Sequence, residues 1–187
     1  MFRLRGFLIA PQFFRLYKAH ILSSCEWCTP AIFHATSTDL QVLNRCQDRF
    51  LGFFDVTPEA ALVCYKLAPL SFRRSVAMLG FIHKSVLGFA PPMCCSMFVR
   101  EPESHHSHVT RSSQRRHSLH VRDPIDGSHT ELLKRSVYGL VRTYNSLPQV
   151  VIDIRDVSTF QRALQIMAIN ALESDRALSD ICNLPKR

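Results

Sequence analysis

The stretch at residues 70–88, LSFRRSVAMLGFIHKSVLG, decides the fold class of this chain. Its apolar residues recur every three or four positions, which is the period of an amphipathic helix. Ser71 is the expected N-cap residue, and Gly88 is expected to end the helix, because glycine readily takes the left-handed conformation that follows helices. The apolar stripe of this predicted helix consists of Phe72, Val76, Leu79, Ile82 and Val86.

Three further helices are predicted upstream of this stretch. Apolar residues at helical spacing predict the first over residues 13–28. Thr38 and Gln41 form a capping box that begins the second, and Gly52 ends it. A Thr-Pro pair, with proline in the first helical position, opens the third over about residues 57–67.

Downstream, the composition changes and the helical period returns later. Residues 100–129 are rich in Ser, His, Arg, Pro and Gly and have almost no apolar periodicity, which is typical of a linker or an exposed loop. A helix is predicted from residue 131 until shortly before Pro148. Residues 149–152 form a short β-like run, and a capping box of Ser158 and Gln161 begins the last helix.

The predicted fold is therefore mainly α, with at most a short β segment. Its expected organisation is a helical N-terminal bundle, a long irregular basic loop and C-terminal helices. The corresponding ranges are a leader of uncertain order at 1–12, the bundle at 13–99, the loop or linker at 100–129, the C-terminal helical region at 130–174 and a tail at 175–187.

The net positive charge of the chain favours a polyanionic partner. The 187 residues contain 23 Lys and Arg against 15 Asp and Glu, which gives a net charge of +8, with nine histidines in addition. Nucleic acid is the expected partner, and an anionic membrane surface comes second. The most apolar window, residues 77–99, is interrupted by polar residues and two prolines, so no transmembrane segment is expected.

The seven cysteines have no regular spacing, and no signal peptide of the usual pattern precedes them, which indicates a reducing compartment. A cytoplasmic or nuclear location is expected. Residues 1–25 are basic and lack acids, as a mitochondrial presequence does, and this remains the minor alternative.

Two groups of cysteines raise the question of a metal or redox site. Cys25 and Cys28 flank a tryptophan in CEWC, and zinc, a redox pair or a packed helix end are the alternatives. A helix C-terminus disfavours a thiolate, and a tetrahedral zinc site lacks suitably spaced partners, so Cys25 is expected to pack as a small hydrophobe. Cys94 and Cys95 precede His105, His106 and His108, and a solvated loop is the favoured interpretation of these histidines. No metal and no cofactor are predicted.

Two polar residues fall on apolar helix faces. His83 lies at the edge of its stripe, and a hydrogen-bonded core histidine is expected there rather than a ligand. Gln47 interrupts the face of the second predicted helix, and it should hydrogen-bond a neighbouring backbone group, because an unpaired buried amide costs about 1–3 kcal/mol.

Four motifs in order resemble the region that follows the catalytic palm of reverse transcriptases from non-LTR (LINE-type) retrotransposons. Residues 16–51 resemble the segment with a Glu-aromatic-small-Pro element and a QxxFL-like element, through Glu26, Trp27, Pro30, Gln47, Phe50 and Leu51. Residues 67–88 are similar to a helix of that family, through Leu70, Arg73, Arg74, Leu79, Lys84 and Leu87. YNSLP at residues 144–148 resembles the closing WNSLP element, and VSTFQRAL at residues 157–164 resembles the terminal helix.

The resemblance implies a thumb-like helical module and the extension after it, without fingers or palm. Polymerases of this kind hold two metal ions on paired aspartates, and this sequence has no two adjacent acids. The chain is therefore not expected to be an enzyme, and no catalytic residue is assigned. A thumb packs against the template–primer duplex, so the resemblance implies weak, salt-dependent binding of RNA or DNA.

Seven cations are candidates for contacts with nucleic acid. Residues 107–122, which we call the basic run, contain no acid, and arginine forks suit phosphates; a merely soluble loop is the alternative. On the predicted helix of residues 70–88, the two arginines are expected to leave the apolar face together and either contact the phosphate backbone or form the solvent-facing side. The candidates are Arg73, Arg74, Lys84, Arg111, Arg115, Arg116 and Arg122.

The alternative from another class is a small helical protein-interaction module. Apolar faces that packed on the missing palm would then dock a protein partner or drive self-association. A third hypothesis is a mitochondrial RNA-associated protein imported through residues 1–25.

Overall fold

The structure, a computed structural model, describes residues 9–101, 117–125 and 130–173. The fold is mainly α, as the sequence predicts. In the described residues, the only β pairing outside the helices is a single antiparallel bridge between Arg100 and Val121. None of the described helices is both long and apolar enough to cross a bilayer.

The chain divides into two compact units, unit 1 (Met1–Arg74) and unit 2 (Ser75–Arg187). The division lies inside one helix, whereas composition alone placed a boundary after residue 99. The composition of the sequence shows where the apolar periodicity of the helices stops. The boundary between the compact units shows where residues begin to pack against a different set of neighbours. The two criteria therefore divide the chain at different positions.

Unit 1 consists of helices and short turns. A continuous helical stretch contains α1 (Ala10–Leu16), a π-helical turn (Tyr17–Leu22) and α2 (Ser23–Glu26). The other helices are α3 (Thr29–Ile32), α4 (Ser37–Phe53), α5 (Pro58–Tyr65) and α6 (Leu70–Val86), and α6 continues into unit 2.

Four aromatic side chains belong to the buried cluster of unit 1, and they pack with further rings at its edge. Phe14 stacks on Tyr65 with ring centroids 3.8 Å apart, and Tyr17 stacks on Phe50 at 4.1 Å. These rings come from α1, the π-helical turn, α4 and α5, so the core joins elements that are distant in the chain. The buried cluster comprises Phe13, Phe14, Tyr17, Leu22, Phe50, Leu51, Ala61, Leu67 and Leu70.

Unit 2 is also helical. It contains the rest of α6 and a series of shorter elements before its last long helix. These are α7 (Pro92–Cys95), α8 (Thr130–Arg135), a 3-10 turn (Val137–Leu140), α9 (Val141–Asn145), α10 (Gln149–Ile152) and α11 (Val157–Glu173). The buried side chains of its core include Val76, Leu79, Ile82, Leu140, Tyr144, Phe160 and Leu164.

The stripe predicted on α6 is confirmed, because all five of its apolar residues are buried. Gly88 ends this helix with a φ of 81°. Its N–H donates to the Ser85 carbonyl, and the Phe89 N–H donates to the Lys84 carbonyl. This is the pair of hydrogen bonds that closes a helix with a left-handed glycine.

The Thr57 cap is also confirmed, since its hydroxyl accepts the Ala60 N–H at 3.2 Å. The other predicted caps are wrong by one or two residues. Ser71 lies inside α6, which begins at Leu70, and the cap of α4 is Thr36, whose hydroxyl accepts the Asp39 N–H. Several Ser, Thr and Asp side chains near a helix start can cap it, and packing decides which turn comes first.

The predicted N-cap of the last helix, α11, is also wrong. Asp156, rather than Ser158, precedes the helix, and its carboxylate accepts the Thr159 N–H at 2.7 Å. The Thr159 hydroxyl also donates to this carboxylate, at 2.6 Å, and the hydroxyl and backbone hydrogen bonds together lower the pKa of Asp156.

The β-like run at residues 149–152 is helix α10, so that prediction is wrong. Val151 and Ile152 are buried while Val150 is exposed. Pro148 stands at the N-cap with the extended backbone that this position takes, φ −69° and ψ 148°. Four apolar residues in a row do not distinguish a strand from one buried helical turn.

Candidate nucleic-acid interface

The two arginines of α6 do not lie together on a solvent-facing side. Arg73 forms a two-pronged ion pair with Glu26, in which Nη2 lies 2.9 Å from Oε2. Arg74 is only 4% exposed, and its Nη2 donates to the Asn44 side chain at 2.8 Å. Burial lowers the pKa of Arg74. The expectation that both face solvent is therefore wrong, because α6 is covered on this side by residues from α2 and α4.

Of the other five candidate cations, the structure describes two. Lys84 is exposed in the last turn of α6, and Arg122 is exposed at the end of the basic run. Arg111, Arg115 and Arg116 lie outside the described residues.

The end of the basic run is held by buried and half-buried polar contacts. Residues 117–125, which we call the anchored segment, lie along α9 and α10 of unit 2. His117 is buried, and its Nε2 lies 3.0 Å from the Tyr144 carbonyl. The Ser118 N–H donates to Gln149 Oε1 at 2.8 Å, and Gln149 Nε2 donates back to the Ser118 hydroxyl at 2.9 Å.

Asn145 provides the central contact with the anchored segment. Its Oδ1 accepts the Val121 N–H at 3.0 Å, and its Nδ2 donates to the Val121 carbonyl at 2.7 Å. The side chain thereby satisfies both backbone groups of one buried residue, as a neighbouring strand would. Leaving both unpaired would cost several kcal/mol in a buried site, so this contact fixes the register of the segment.

The opposite edge of the anchored segment pairs with residues that follow α7. The Glu101 N–H donates to the His120 carbonyl at 3.0 Å, and the Arg122 N–H donates to the Val99 carbonyl at 2.9 Å. These bonds surround the bridge between Arg100 and Val121. The segment is therefore held on two sides.

An ion pair closes the downstream end of the segment. Arg142 Nε lies 2.6 Å from Asp123 Oδ2. This hydrogen bond raises the pKa of Arg142, which is largely exposed. Solvent screens an exposed pair of this kind, so Asn145 and His117, rather than this pair, dominate the anchoring.

Two buried histidines meet Tyr144 from different directions. His83 Nδ1 lies 3.0 Å from the Tyr144 hydroxyl, and its Nε2 lies 2.6 Å from the Ile154 carbonyl. The prediction of a hydrogen-bonded core histidine is thus confirmed. Burial lowers the pKa of both His83 and His117.

Gln47 also has the predicted backbone partner. It is buried, and its Nε2 donates to the Ala68 carbonyl at 3.1 Å.

The cysteines of the described residues are free and form no metal cluster with other ligand side chains there. Cys25 is half-buried and packs against the unit 1 core, as predicted. Burial raises the pKa of its thiol, which is the opposite of what a redox-active cysteine needs. Trp27 is 81% exposed. His105, His106 and His108 lie outside the described residues.

Sequence reasoning assigned no role to His117, Gln149 or the Asn145 side chain. A signal was available for Asn145, because it belongs to the YNSLP element. Its partner, however, lies 24 residues upstream in a stretch without periodicity.

No family model, no curated protein and no solved structure matches this chain.

Proposed function

We propose that this chain is a non-catalytic module derived from the C-terminal part of a non-LTR reverse transcriptase, and that it binds RNA or DNA weakly through the basic run. The observation that carries the proposal is the anchored end of that run. Three arginines lead, without an intervening acid, into a segment that contains the fourth, Arg122, and is fixed to α9 and α10. A fixed end reduces the conformational freedom that binding must remove from the run.

Contacts among the resemblance motifs support the proposed origin. Glu26 of the first motif pairs with Arg73 of the second. Gln47 of the first motif hydrogen-bonds the backbone at Ala68, just before Leu70. Residues of the two motifs therefore provide polar partners for one another, which gives Glu26, Arg73 and Gln47 a structural reason to be present.

Arginine chemistry supports a phosphate ligand. The guanidinium group offers a planar fork of donors, and phosphate oxygens accept it in a bidentate manner. Arg73 and Arg74 are engaged by Glu26 and Asn44, so we assign the interface to Arg111, Arg115, Arg116 and Arg122. Lys84, which is exposed in the same unit, is a secondary candidate.

Binding should weaken steeply with salt. Four contacts to a single strand give a slope of about −3 for log Kobs against log[salt], and hence about a 50-fold loss between about 50 and 200 mM salt. We expect that changing the four interface arginines to Gln removes most of this slope. Fluorescence anisotropy with labelled single-stranded RNA, single-stranded DNA and duplex DNA measures it.

A charge-matched control variant shows whether binding depends on a specific site or only on the net charge of the chain. Arg15, Arg45, Arg49 and Arg155 are exposed elsewhere, and changing them to Gln removes the same charge. This control should keep nearly all of the slope. Equal losses in the two variants, or no binding at low salt, would contradict the proposed interface.

Exposed apolar side chains favour self-association as a second candidate function. In unit 1, Ile9, Trp27 and Val42 are exposed, and in unit 2, Phe89 and Met93 are exposed. Large exposed apolar groups mark interaction surfaces when they adjoin one another.

Trp27 allows a direct test, because it is the only tryptophan. If self-association buries it, its emission should shift to the blue as protein concentration rises, while sedimentation velocity shows a growing mass. A monomer at all concentrations, with constant emission, would argue against this second function.

A further inference from the structure

His117 is hydrogen-bonded through both ring nitrogens. Nε2 lies 3.0 Å from the Tyr144 carbonyl, and Nδ1 accepts the Leu119 N–H at 3.2 Å. A carbonyl can only accept, so Nε2 carries the proton; an amide N–H can only donate, so Nδ1 has none. The geometry therefore defines a neutral imidazole in a single tautomer.

A second proton on His117 is incompatible with these contacts. It would place an N–H on Nδ1 directly against the N–H of Leu119, so that two donors face each other. The ring must then leave one partner. The ring is also buried, which makes the charged form costly in place.

The charged and titratable groups around His117 do not offset that cost. His120 lies beside it, with ring centroids 5.8 Å apart, and His120 in turn contacts Glu101 at 3.2 Å. Charge on His120 or His83 would disfavour charge on His117 further. On the described elements around the segment, the charged and titratable groups include His83 on α6, Arg100 and Glu101 on the paired stretch, His120, Arg122 and Asp123 on the segment itself, Arg142 and Tyr144 on α9, and Asp153 directly after α10.

The other contacts of the anchored segment are hydrogen bonds along its two edges, because the segment has no helical hydrogen bonds of its own. Beyond His117, they are mainly the Asn145 and Gln149 contacts and the backbone bonds to Val99 and Glu101. Segments held in this way open locally at a smaller free-energy cost than the unit as a whole. Release of the segment is therefore an accessible response to protonation.

We propose that His117 is a pH-operated latch, which holds the end of the basic run on α9 and α10 when neutral and releases it when protonated. Helices α6 and α11 remain folded when the segment is released. The consequence for nucleic acid, that the basic run loses its fixed end in mild acid, rests on the proposed function.

Hydrogen exchange measured by NMR on the full chain tests the latch without any ligand. The reporters are the N–H groups of Leu119, Val121 and Arg122, which bond His117, Asn145 and Val99. Below about pH 6.5, their protection factors, corrected for intrinsic exchange, should fall together by up to about tenfold per pH unit. The N–H groups of Leu164 and Ala168 in α11 should remain more protected than these reporters at every pH, because they exchange only when the unit as a whole opens.

Variants separate the latch from other titrations. His117→Gln keeps a donor near Nε2, and His117→Asn keeps an acceptor for the Leu119 N–H, but neither titrates; both should abolish the pH dependence. Asn145→Ala should lower the reporter protection at every pH, which defines the open state. His34→Gln, which removes an exposed histidine, should behave as the wild type does.

The proposal is overturned if the reporter protection in the wild type is independent of pH, if the pH dependence persists in both His117 variants, or if the reporter amides are as well protected as the α11 amides, so that the segment opens only with the whole unit. Because no nucleic acid is present, each of these results leaves the proposed binding function open. Conversely, absence of nucleic-acid binding leaves the latch intact.

Discussion

Replacing Phe14 by Ala is expected to lower the free energy of unfolding by about 3–5 kcal/mol. The Phe14 ring is buried and stacks on Tyr65 at 3.8 Å. It also meets Phe50 at 5.0 Å and Phe54 at 5.7 Å. Truncation removes the transfer free energy of a large ring and leaves a cavity among rigid aromatic neighbours, which cannot easily fill it.

Urea unfolding followed by far-UV circular dichroism measures this loss. Phe89→Ala is the matched control, because Phe89 is 57% exposed, and it should change stability by no more than about 0.5 kcal/mol. A Phe14→Ala variant as stable as the control would show that the aromatic cluster is not the core of unit 1.

The second large effect is expected for Phe160→Ala, which should cost about 3–5 kcal/mol in unit 2 at neutral pH. Phe160 is fully buried and stacks on His83, with ring centroids 4.1 Å apart and planes 8° apart. Phe160→Leu preserves most of the volume and should cost clearly less.

The Phe160→Ala substitution should also change how the free energy of unfolding depends on pH. Burial lowers the pKa of His83, so the unfolded chain takes up its proton first as the pH falls. Stability is therefore complete above the unfolded value of about 6.5 and declines below it, by at most about 1.4 kcal/mol per pH unit for this group. The decline ends below the folded pKa.

Removing the Phe160 ring admits water beside His83 and relieves part of its desolvation. The difference in unfolding free energy between about pH 7 and pH 5.5 should then be smaller in Phe160→Ala than in the wild type. Urea titrations at both pH values measure it, with Phe160→Leu retaining the wild-type difference. An unchanged difference in Phe160→Ala would show that the ring does not shield His83.

Helix positions were largely predictable because their causes are local. The α6 stripe, the Thr57 cap and the Gly88 termination each depend on residues within one or two turns of each other. The caps at Ser71, Thr38 and Ser158 failed for a related reason. Each neighbourhood offers several capping side chains of similar free energy, and sequence alone does not rank them.

The candidate interface was less predictable because its contacts are long-range. Arg73 was expected to face solvent, yet its partner Glu26 lies 47 residues away. Asn145 and Val121 are separated by 24 residues, and His117 and Tyr144 by 27. No periodicity connects such positions, so local patterns contain no information about them.

The sequence by itself determined that the chain is mainly helical, which face of α6 is apolar, and that Gln47 and His83 need buried partners. Those features follow from side-chain period and from the cost of an unpaired polar group. Only the tertiary structure decided that Arg74 is buried, that residues 149–152 form a helix, and that the basic run ends in an anchored segment. Each of these depends on which distant element supplies the last hydrogen bond or covers the last apolar surface, and that choice is made only when the chain packs.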